Sequence, residues 1–452
     1  MPKSKYLIFG LFLVSTFCAC KEANQKQNNN QKIIQSDETV LNWMGHWLNR
    51  DGKEDLVRKV AREYEFINKG LKVNLKFPQE ILKTEDFRGK LTDSIVKMIT
   101  TGEVTWDIIY MDQGMYSQVA NKLKDPKWGS KYLVNFEELD WFAERHKQLV
   151  FDIPQYRNSM GGNITGPVLE GYYFGLWYNT ILAEKIGLDI KPLGMTFDDL
   201  KDYIKKAHQY NQQASEKIQI MTQDNGANTI SSIFNSLVMS ELGNFDTVHV
   251  DINKGKEALR KGLRAFEELA AYEPFNKSGV KLDAKEETIL SGKCLFIGFQ
   301  SYVYNRWGKI DKERTKNIVP VELPVFKNQG MFYQGTYQCV WGVLQNAPHK
   351  NEAINLLKYW CSNDIAEQWL QKTKNPTGIK TRLNTNNFGQ DQLDRFNLGI
   401  EGKYDKNVQT YQLAAMLFGS RNKSIQINPA SVIYGEKTAD DYYNEIIKQV
   451  KR

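Results

Sequence analysis

The sequence is poor in the features that mark several classes of protein. Its 452 residues include 5 Cys and 12 Pro. Beyond the N-terminus no apolar run approaches the roughly 18 residues of a membrane-spanning helix, which excludes a polytopic membrane protein. Charged residues are interspersed, so no basic block indicates a nucleic-acid partner. No segment resembles a nucleophile elbow, a zinc-protease helix or a phosphate loop. We therefore expect no catalytic residues, no cofactor and no metal.

What remains is an ordinary globular composition, with 41% hydrophobic residues and a formal net charge of +7. A charge of this size is more typical of a soluble surface than of a charged partner. Aromatic residues are abundant at 12%, including 22 Tyr and 10 Trp. The length is sufficient for two or three folding units, each with a core of its own.

The first twenty residues have the pattern of a secretory signal peptide. Two lysines precede an apolar run of about a dozen residues, and Cys18-Ala19-Cys20 follows. A cysteine directly after a small residue resembles the cleavage site of bacterial lipoproteins, which implies that Cys20 is lipidated and anchors the chain to a membrane. Secretion without a lipid is the alternative. Residues 21–37 are rich in Asn, Gln and Lys and lack aromatic residues, which predicts a flexible tether.

Three cysteines remain after this segment, Cys294, Cys339 and Cys361, each among apolar or aromatic neighbours. Their wide spacing argues against a zinc site or a disulfide framework. We predict buried thiols, with one bridged pair in an oxidising compartment as the alternative.

Hydrophobic periodicity predicts an α/β protein with two lobes. Apolar residues recur every three or four positions in residues 53–68, which predicts a helix, and alternate in residues 71–77, which predicts a strand. The strand–helix rhythm recurs after residue 170, so each lobe is expected to be a mainly parallel sheet flanked by helices. Further strands are predicted at 38–43, 106–111, 173–178, 218–221, 293–299 and 340–344, and further helices at 87–101, 179–186, 197–210, 229–241, 255–272, 350–361, 364–372 and 438–450.

Several segments, in order, resemble the extracellular solute-binding proteins of bacterial ABC importers, the group that includes maltose-binding protein. The most specific is Gly175–Asn179 followed by residues 186–200, which is similar to the family's "lwYNkdlf…GL…P.TWdEl" pattern. Residues 43–47, 101–109, 291–296, 347–353 and 435–441 also match in order, so the resemblance covers nearly the whole mature chain. It implies a periplasmic-binding-protein-like fold, in which two lobes close by hinge motion around a ligand in the cleft between them.

The resemblance also implies how the chain is divided. We expect a signal peptide at 1–19, a tether at 20–37, an N-terminal lobe of 38–170 plus 336–361, and a C-terminal lobe of 171–335 plus 362–452. The three crossings between the lobes would then lie near Glu170–Gly171, Gly335–Gln338 and Cys361–Asn363.

Ligands of open parallel sheets bind in loops beyond the carboxyl ends of strands, and few loops here qualify. Flat aromatic rings suit the apolar faces of a pyranose, while Asp, Asn and Gln suit its hydroxyl rim. By position, Tyr302 and Tyr304 match two sugar-stacking aromatics of the resembling family, and Asp112 and Gln113 lie near its hydroxyl-binding residues. Core packing is the alternative for the aromatic residues, and helix capping is the alternative for Asp112. The predicted ligand-binding residues are His46, Trp47, Asp112, Gln113, Asn225, Asn228, Tyr302, Tyr304, Trp307, Tyr333 and Thr336.

Taken together, the sequence predicts a monomeric substrate-binding lipoprotein of an ABC importer, anchored to the periplasmic or extracellular face of a bacterial membrane. It would capture a sugar or oligosaccharide and deliver it to the membrane permease. Two alternatives belong to other classes: a secreted glycan hydrolase with an Asp/Glu pair, and a lipoprotein that reports its ligand to a membrane receptor. A peptide or polyamine is a further alternative for the solute.

Overall fold

Strands and helices alternate along the chain from Thr39 onward. In this computed structural model the described residues are 38–48, 52–82, 86–147, 150, 160–191, 194–223, 228–242, 251–275, 282–326, 334–373, 375–380, 413–422 and 424–450.

The strands form two sheets. They are β1 (Thr39–Met44), β2 (Leu71–Lys76), β3 (Ile108–Tyr110), β4 (Glu170–Asn179), β5 (Gln219–Thr222), β6 (Cys294–Gln300), β7 (Ile318–Val321), β8 (Gln334–Gln338) and β9 (Trp341–Val343).

Helices flank both sheets. They are α1 (Lys53–Ile67), α2 (Pro78–Leu82), α3 (Phe87–Thr101), α4 (Gln113–Leu123), α5 (Trp128–Tyr132), α6 (Phe142–Arg145), α7 (Thr180–Ile186), α8 (Phe197–Gln213), α9 (Asn228–Leu242), α10 (Ile252–Ala270), α11 (Leu282–Leu290), α12 (Val303–Ile310), α13 (Lys312–Thr315), α14 (Lys350–Trp360), α15 (Asn363–Thr373), α16 (Leu413–Phe418), α17 (Ala430–Ile433) and α18 (Ala439–Gln449), with short 3₁₀ turns at Phe136–Glu138 and Ser420–Asn422.

The first sheet has the strand order β2-β1-β3-β9. Strand β1 pairs in parallel with both β2 and β3, and only β9 runs antiparallel. The carboxyl ends of β1 and β3 therefore lie side by side at one edge, as the sequence predicts for a ligand site. We call this sheet and the helices packed on it the first lobe.

The second sheet has the order β5-β6-β4-β7, and β8 also pairs with β4. Strands β6, β7 and β8 all run antiparallel to β4, while β5 runs parallel to β6. Four of its five strands thus share one direction, but β4 opposes its neighbours, so most pairs in this second lobe are antiparallel. The mainly parallel sheet predicted for this lobe is therefore wrong, because the alternation of strands and helices in the sequence does not fix which strands become neighbours. Strands β7 and β8 are absent from the sequence prediction, because each is short and lies next to residues that read as loop.

Local sequence signals explain where the helices begin. Helix α8 has a complete capping box: the Thr196 side chain accepts a hydrogen bond from the Asp199 amide, and the Asp199 carboxylate accepts one from the Thr196 amide. Thr438 caps α18 in the predicted position by accepting from the Asp441 amide. Helix α1 instead follows Gly52, whose φ of 75° suits glycine.

The chain passes from the second sheet to the first between β8 and β9, that is, between Gln338 and Trp341. Helix α15 packs on the first lobe: the ring centroid of Trp369 in this helix lies 5.4 Å from that of Trp47. The Lys380 amide still bonds to the Arg145 carbonyl of that lobe. The lobe boundary predicted near Cys361–Asn363 is therefore placed too early, because Trp369 packs on Trp47 in the turn after β1 and on Trp360 of α14.

Each lobe has a large apolar core rich in buried aromatic rings. Trp43, Trp341 and Trp360 pack edge to face in the first lobe, with centroids 4.9–6.4 Å apart. Cys294, Cys339 and Cys361 are buried and unbridged, as predicted for structural thiols. Among the described helices, none combines the length and apolar character needed to cross a bilayer.

Candidate functional site

A band of polar and aromatic side chains joins the two lobes. The first lobe contributes the turn after β1, the beginning of α1, and the carboxyl end of β3. The second lobe contributes the first residue of β4 and the turn after β6.

A hydrogen-bonded network closes the carboxyl end of β3. Arg88 on α3 donates from Nη2 to the Tyr110 hydroxyl at 2.8 Å and to Asp112 Oδ2 at 2.9 Å. The Tyr110 hydroxyl donates a short hydrogen bond to the same carboxylate. Burial, and secondarily the charge of Asp112, raise the pKa of Tyr110 far above its usual value, so this hydroxyl stays protonated and donates.

Asp112 has two functions in this network. Its Oδ1 accepts a hydrogen bond from the Met115 amide at 2.7 Å, which caps α4. Its Oδ2 faces Arg88, whose side chain is 40% exposed. The capping alternative is therefore real, but capping leaves one edge of the carboxylate beside an accessible cation. Gln113, the first residue of α4, is half-buried next to it.

The turn after β1 places His46 and Trp47 differently. The His46 ring stacks on Tyr110 with centroids 4.2 Å apart and is half-buried. Trp47 is 4% exposed and packs on Trp341 and Trp369. Its φ of 66° is rare for a bulky residue, a strain that surrounding packing must offset. The predicted ligand role of Trp47 gives way here to core packing, the alternative for this ring, whereas His46 borders the polar network.

A buried ion pair connects the turn to the second lobe. Lys53, on α1, lies with its Nζ 2.9 Å from Oε1 of Glu170, the first residue of β4, and their side chains are only 5% and 4% exposed. The second carboxylate oxygen accepts a hydrogen bond from Gln338 Nε2 at 2.7 Å. Both oxygens are thus bound, which a buried carboxylate requires.

Tyr302 reaches this pair from the turn after β6. Lys53 Nζ lies 5.5 Å from the centroid of the Tyr302 ring, and the ring is half-buried. Trp47 and Tyr302, both predicted to bind the ligand, lie against Lys53, and of these two rings Tyr302 is the partly accessible one.

Tyr304 and Trp307 were predicted to lie in a loop, but both lie on helix α12. Tyr304 is half-buried and stacks on Trp177 at 6.1 Å. Trp307 is 0% exposed and packs edge to face on Trp177 at 5.3 Å. A helix that starts immediately after Tyr302 turns Trp307 into the core of the second lobe, so the ligand role predicted for Trp307 is corrected to core packing.

The remaining predicted residues are placed only in part. Asn228 is the first residue of α9, and Thr336 lies in β8 opposite Tyr172 rather than in the predicted loop. Cys20, Asn225 and Tyr333 fall outside the described residues.

Four site residues escaped the sequence prediction: Lys53, Arg88, Tyr110 and Glu170. A signal for Lys53 was available, because positions 53, 56, 57 and 60 share one helix face and the last three are apolar. Tyr110 and Glu170 carry no such signal, because nothing local distinguishes a strand residue beside a partner that is distant in sequence.

The band pairs each charge with its opposite: Lys53 with Glu170, and Arg88 with Asp112. It therefore offers directed donors and acceptors with little net charge, beside a partly exposed aromatic ring. Such a surface suits a neutral, hydroxyl-rich molecule. Within the described ranges, no group of three His, Cys, Asp or Glu side chains could hold a metal ion.

The chain matches a known protein family over most of its length. Residues 82–393 match the model of a family described as bacterial extracellular solute-binding protein. No curated protein sequence matches the chain.

Similar solved structures cover most of the chain. RafE from Streptococcus pneumoniae, in its apo form, has a TM-score of 0.62 at 12% identity and covers 92% of this chain and 97% of its own. The binding protein msme from Bacillus subtilis, in an open conformation, has a TM-score of 0.59 at 13% identity, with coverages of 92% and 98%. MalE3 of T. maritima, bound to maltose, has a TM-score of 0.58 at 15% identity, with coverages of 91% and 99%. These likenesses confirm the predicted two-lobed α/β fold.

Proposed function

The chain belongs to the bacterial extracellular solute-binding proteins, and from this premise we propose that it captures a sugar or oligosaccharide between its lobes and delivers it to an ABC importer. The observation that carries the proposal is the meeting of both lobes at one charge-balanced site: Lys53 of the first lobe contacts Glu170 and Tyr302 of the second. A ligand bound at such a junction favours the closed arrangement of the lobes over the open one.

Each side chain of the site has a chemical task in this proposal. Tyr302 covers an apolar face of the sugar ring. Asp112 accepts from hydroxyl groups and Arg88 donates to them, while His46 and Gln113 complete the polar rim. Tyr304, Asn228 and Thr336 belong to the second-lobe side, and Asn225 and Tyr333 stay predictions from the sequence.

The solved relatives support the carbohydrate class. RafE has been solved with raffinose and T. maritima MalE3 with maltose, at identities of 12% and 15% to this chain. At such identities the fold is shared, while the sugar is a property of each protein. We therefore propose the class of ligand and not a particular sugar.

Binding without reaction is the function that the carboxylates favour. Glycan hydrolysis needs one carboxylic acid that donates a proton and one carboxylate that attacks or activates water. In this site Glu170 is bound to Lys53 and Gln338, and Asp112 is bound to Arg88. Both carboxylates are thus engaged by cations of the chain itself, an arrangement that favours accepting hydrogen bonds.

The cellular setting is part of the proposal. Lipidation at Cys20 would hold the protein at a bacterial membrane beside its permease, with residues 21–37 as the tether, and we propose that it works there as a monomer. Membrane fractionation of the wild type and of Cys20→Ala tests this part: the variant is expected in the soluble fraction. Retention of the variant in the membrane would argue against the lipid anchor.

Calorimetry with the full-length protein in detergent tests the ligand class. Titration with a panel of mono- and oligosaccharides is expected to give at least one saturable isotherm, and that sugar should raise the melting temperature. Chromatography of the same mixtures after long incubation should recover the sugar unchanged. Release of a shorter sugar would favour the hydrolase, and absence of binding to any sugar would overturn the carbohydrate assignment.

A further inference from the structure

Three aromatic rings and a carboxylate surround the ammonium group of Lys53. Its Nζ lies 5.2 Å from the ring centroid of Trp47, 5.2 Å from that of Trp369 and 5.5 Å from that of Tyr302. Glu170 Oε1 is 2.9 Å away. We call these four groups, Trp47, Trp369, Tyr302 and Glu170, the ammonium cage.

This arrangement is chemically specific for a cation. An ammonium group within about 6 Å of a ring centroid is attracted by the ring's electron-rich face, most strongly where water is excluded. The Lys53 side chain is only 5% exposed, so its charge depends on the cage for nearly all of its stabilisation. The carboxylate is fixed in turn, because Gln338 occupies its other oxygen.

The position of the cage links it to the ligand site. Trp47 and Trp369 belong to the first lobe, whereas Tyr302 and Glu170 belong to the second. Trp47 is the immediate neighbour of His46, and Tyr302 is the partly accessible ring of the proposed sugar surface. A solute that entered the cleft with its own ammonium group would therefore meet a cation site that the chain itself already fills.

We propose that Lys53 is the resident cation of this cage and that it makes the cleft selective against cationic solutes. The inference rests on the proposed function, since it narrows the ligand to neutral polyhydroxylated molecules and disfavours polyamines and amino sugars. The physical reason is that an incoming cation would have to displace Lys53 or share a buried site with a like charge.

Removing the resident cation should turn the cage into a binding site for an external one. In Lys53→Ala the three rings and the carboxylate remain, and n-propylammonium replaces the missing part of the side chain. We expect calorimetry to give at least about tenfold tighter binding of n-propylammonium chloride to this variant than to the wild type. Neutral n-propanol should show no such gain, because it lacks the charge.

Three further variants isolate the cause. Lys59→Ala removes a partly exposed lysine of the same helix, one that pairs with Glu63, and should bind n-propylammonium no better than the wild type. Lys53→Ala combined with Glu170→Gln should lose most of the gain, because the cage then lacks its carboxylate. Lys53→Met keeps the stem as far as the carbon that bears the ammonium group and removes only the charged nitrogen. It should bind the ammonium ion, added as ammonium chloride, more tightly than the wild type even where Lys53→Ala folds poorly.

The selectivity itself is measured with a sugar that the wild type binds and with its amino-sugar counterpart. The wild type should favour the neutral sugar, and Lys53→Ala should reduce that preference by about tenfold or more. If folded Lys53→Ala and Lys53→Met bind n-propylammonium and ammonium, respectively, no better than the wild type, the cage proposal is overturned, whatever the sugar result. If no sugar binds the wild type while the probes bind the variants, the proposed carbohydrate function fails and the cage stands.

Discussion

Glu322 offers a stability prediction that follows from a single buried carboxyl group. It lies directly after β7 in the second lobe and is 2% exposed. One oxygen accepts a hydrogen bond from the Gly194 amide, and within the described part of the chain the other has no hydrogen-bond partner. Burial raises the pKa of Glu322 from 4.5 to about 7, with the Gly194 bond acting in the opposite direction.

The sign of the pH dependence follows from this raised pKa. As the pH rises above about 4.5, the unfolded chain releases this proton while the folded protein retains it, so the free energy of unfolding falls until the pH passes about 7. At 1.36 kcal/mol per pH unit, the interval corresponds to a loss of about 3 kcal/mol. Glu322→Gln keeps an oxygen for the Gly194 amide and cannot ionise, so this loss should disappear.

Urea denaturation of the wild type and of Glu322→Gln at about pH 5 and about pH 8 measures the effect. The stability of the variant relative to the wild type should increase by about 3 kcal/mol between the two pH values. Glu313→Gln is the matched control, because Glu313 is 76% exposed and pairs with Lys316 on the surface. Equal pH dependence in the wild type and in Glu322→Gln would refute the reasoning, since it would mean that Glu322 ionises as easily in the folded protein as in the unfolded chain.

Three further predictions concern the site and its support. Tyr302→Ala should weaken sugar binding about tenfold and leave the circular dichroism spectrum unchanged. Trp307→Ala should lower the free energy of unfolding by about 3–5 kcal/mol in a denaturation experiment. The reverse pattern would make Trp307 the ligand-binding residue and Tyr302 the core residue. Asp112→Asn should retain the cap of α4 and the melting temperature but weaken sugar binding, whereas Asp112→Ala should also lose about 1 kcal/mol of stability. If Asp112→Asn and the wild type bind the sugar with equal affinity, Asp112 is not part of the site. Gly166→Ala would place a Cβ 1.8 Å from the main-chain carbonyl oxygen of Trp341 and should destabilise the protein by about 1–3 kcal/mol or more. Gly308→Ala is the control, because the space around Gly308 is open and the substitution should leave the stability unchanged. A normal melting temperature for Gly166→Ala would contradict the close packing at Gly166.

Much of the fold could be predicted from the sequence, because the signals are local. The predicted helix at 53–68 is α1 at Lys53–Ile67, and the predicted helix at 87–101 is observed as Phe87–Thr101. Both follow from a repeat of apolar residues that only a helix places on one face. Trp177, which lies in the strand predicted at 173–178, is 0% exposed in β4.

The candidate site was predicted less well, because position in a loop does not fix the direction of a side chain. The sequence pointed to the turns after β1, β3 and β6, and His46, Asp112 and Tyr302 lie where those turns meet the polar band. It treated Trp47 and Trp307 in the same way, although packing against rings that are distant in sequence turns both into the core.

By itself the sequence determined the order of strands and helices, the helix caps, the signal-like N-terminus and the family, since each depends on neighbours along the chain. Only the tertiary structure decided that β4 opposes its sheet, that α15 stays with the first lobe, and that Lys53 meets Glu170 across 117 positions. The physical reason is that burial and charge pairing depend on distances in space, and a charged residue at the start of a helix looks solvent-exposed until its partner strand is placed beside it.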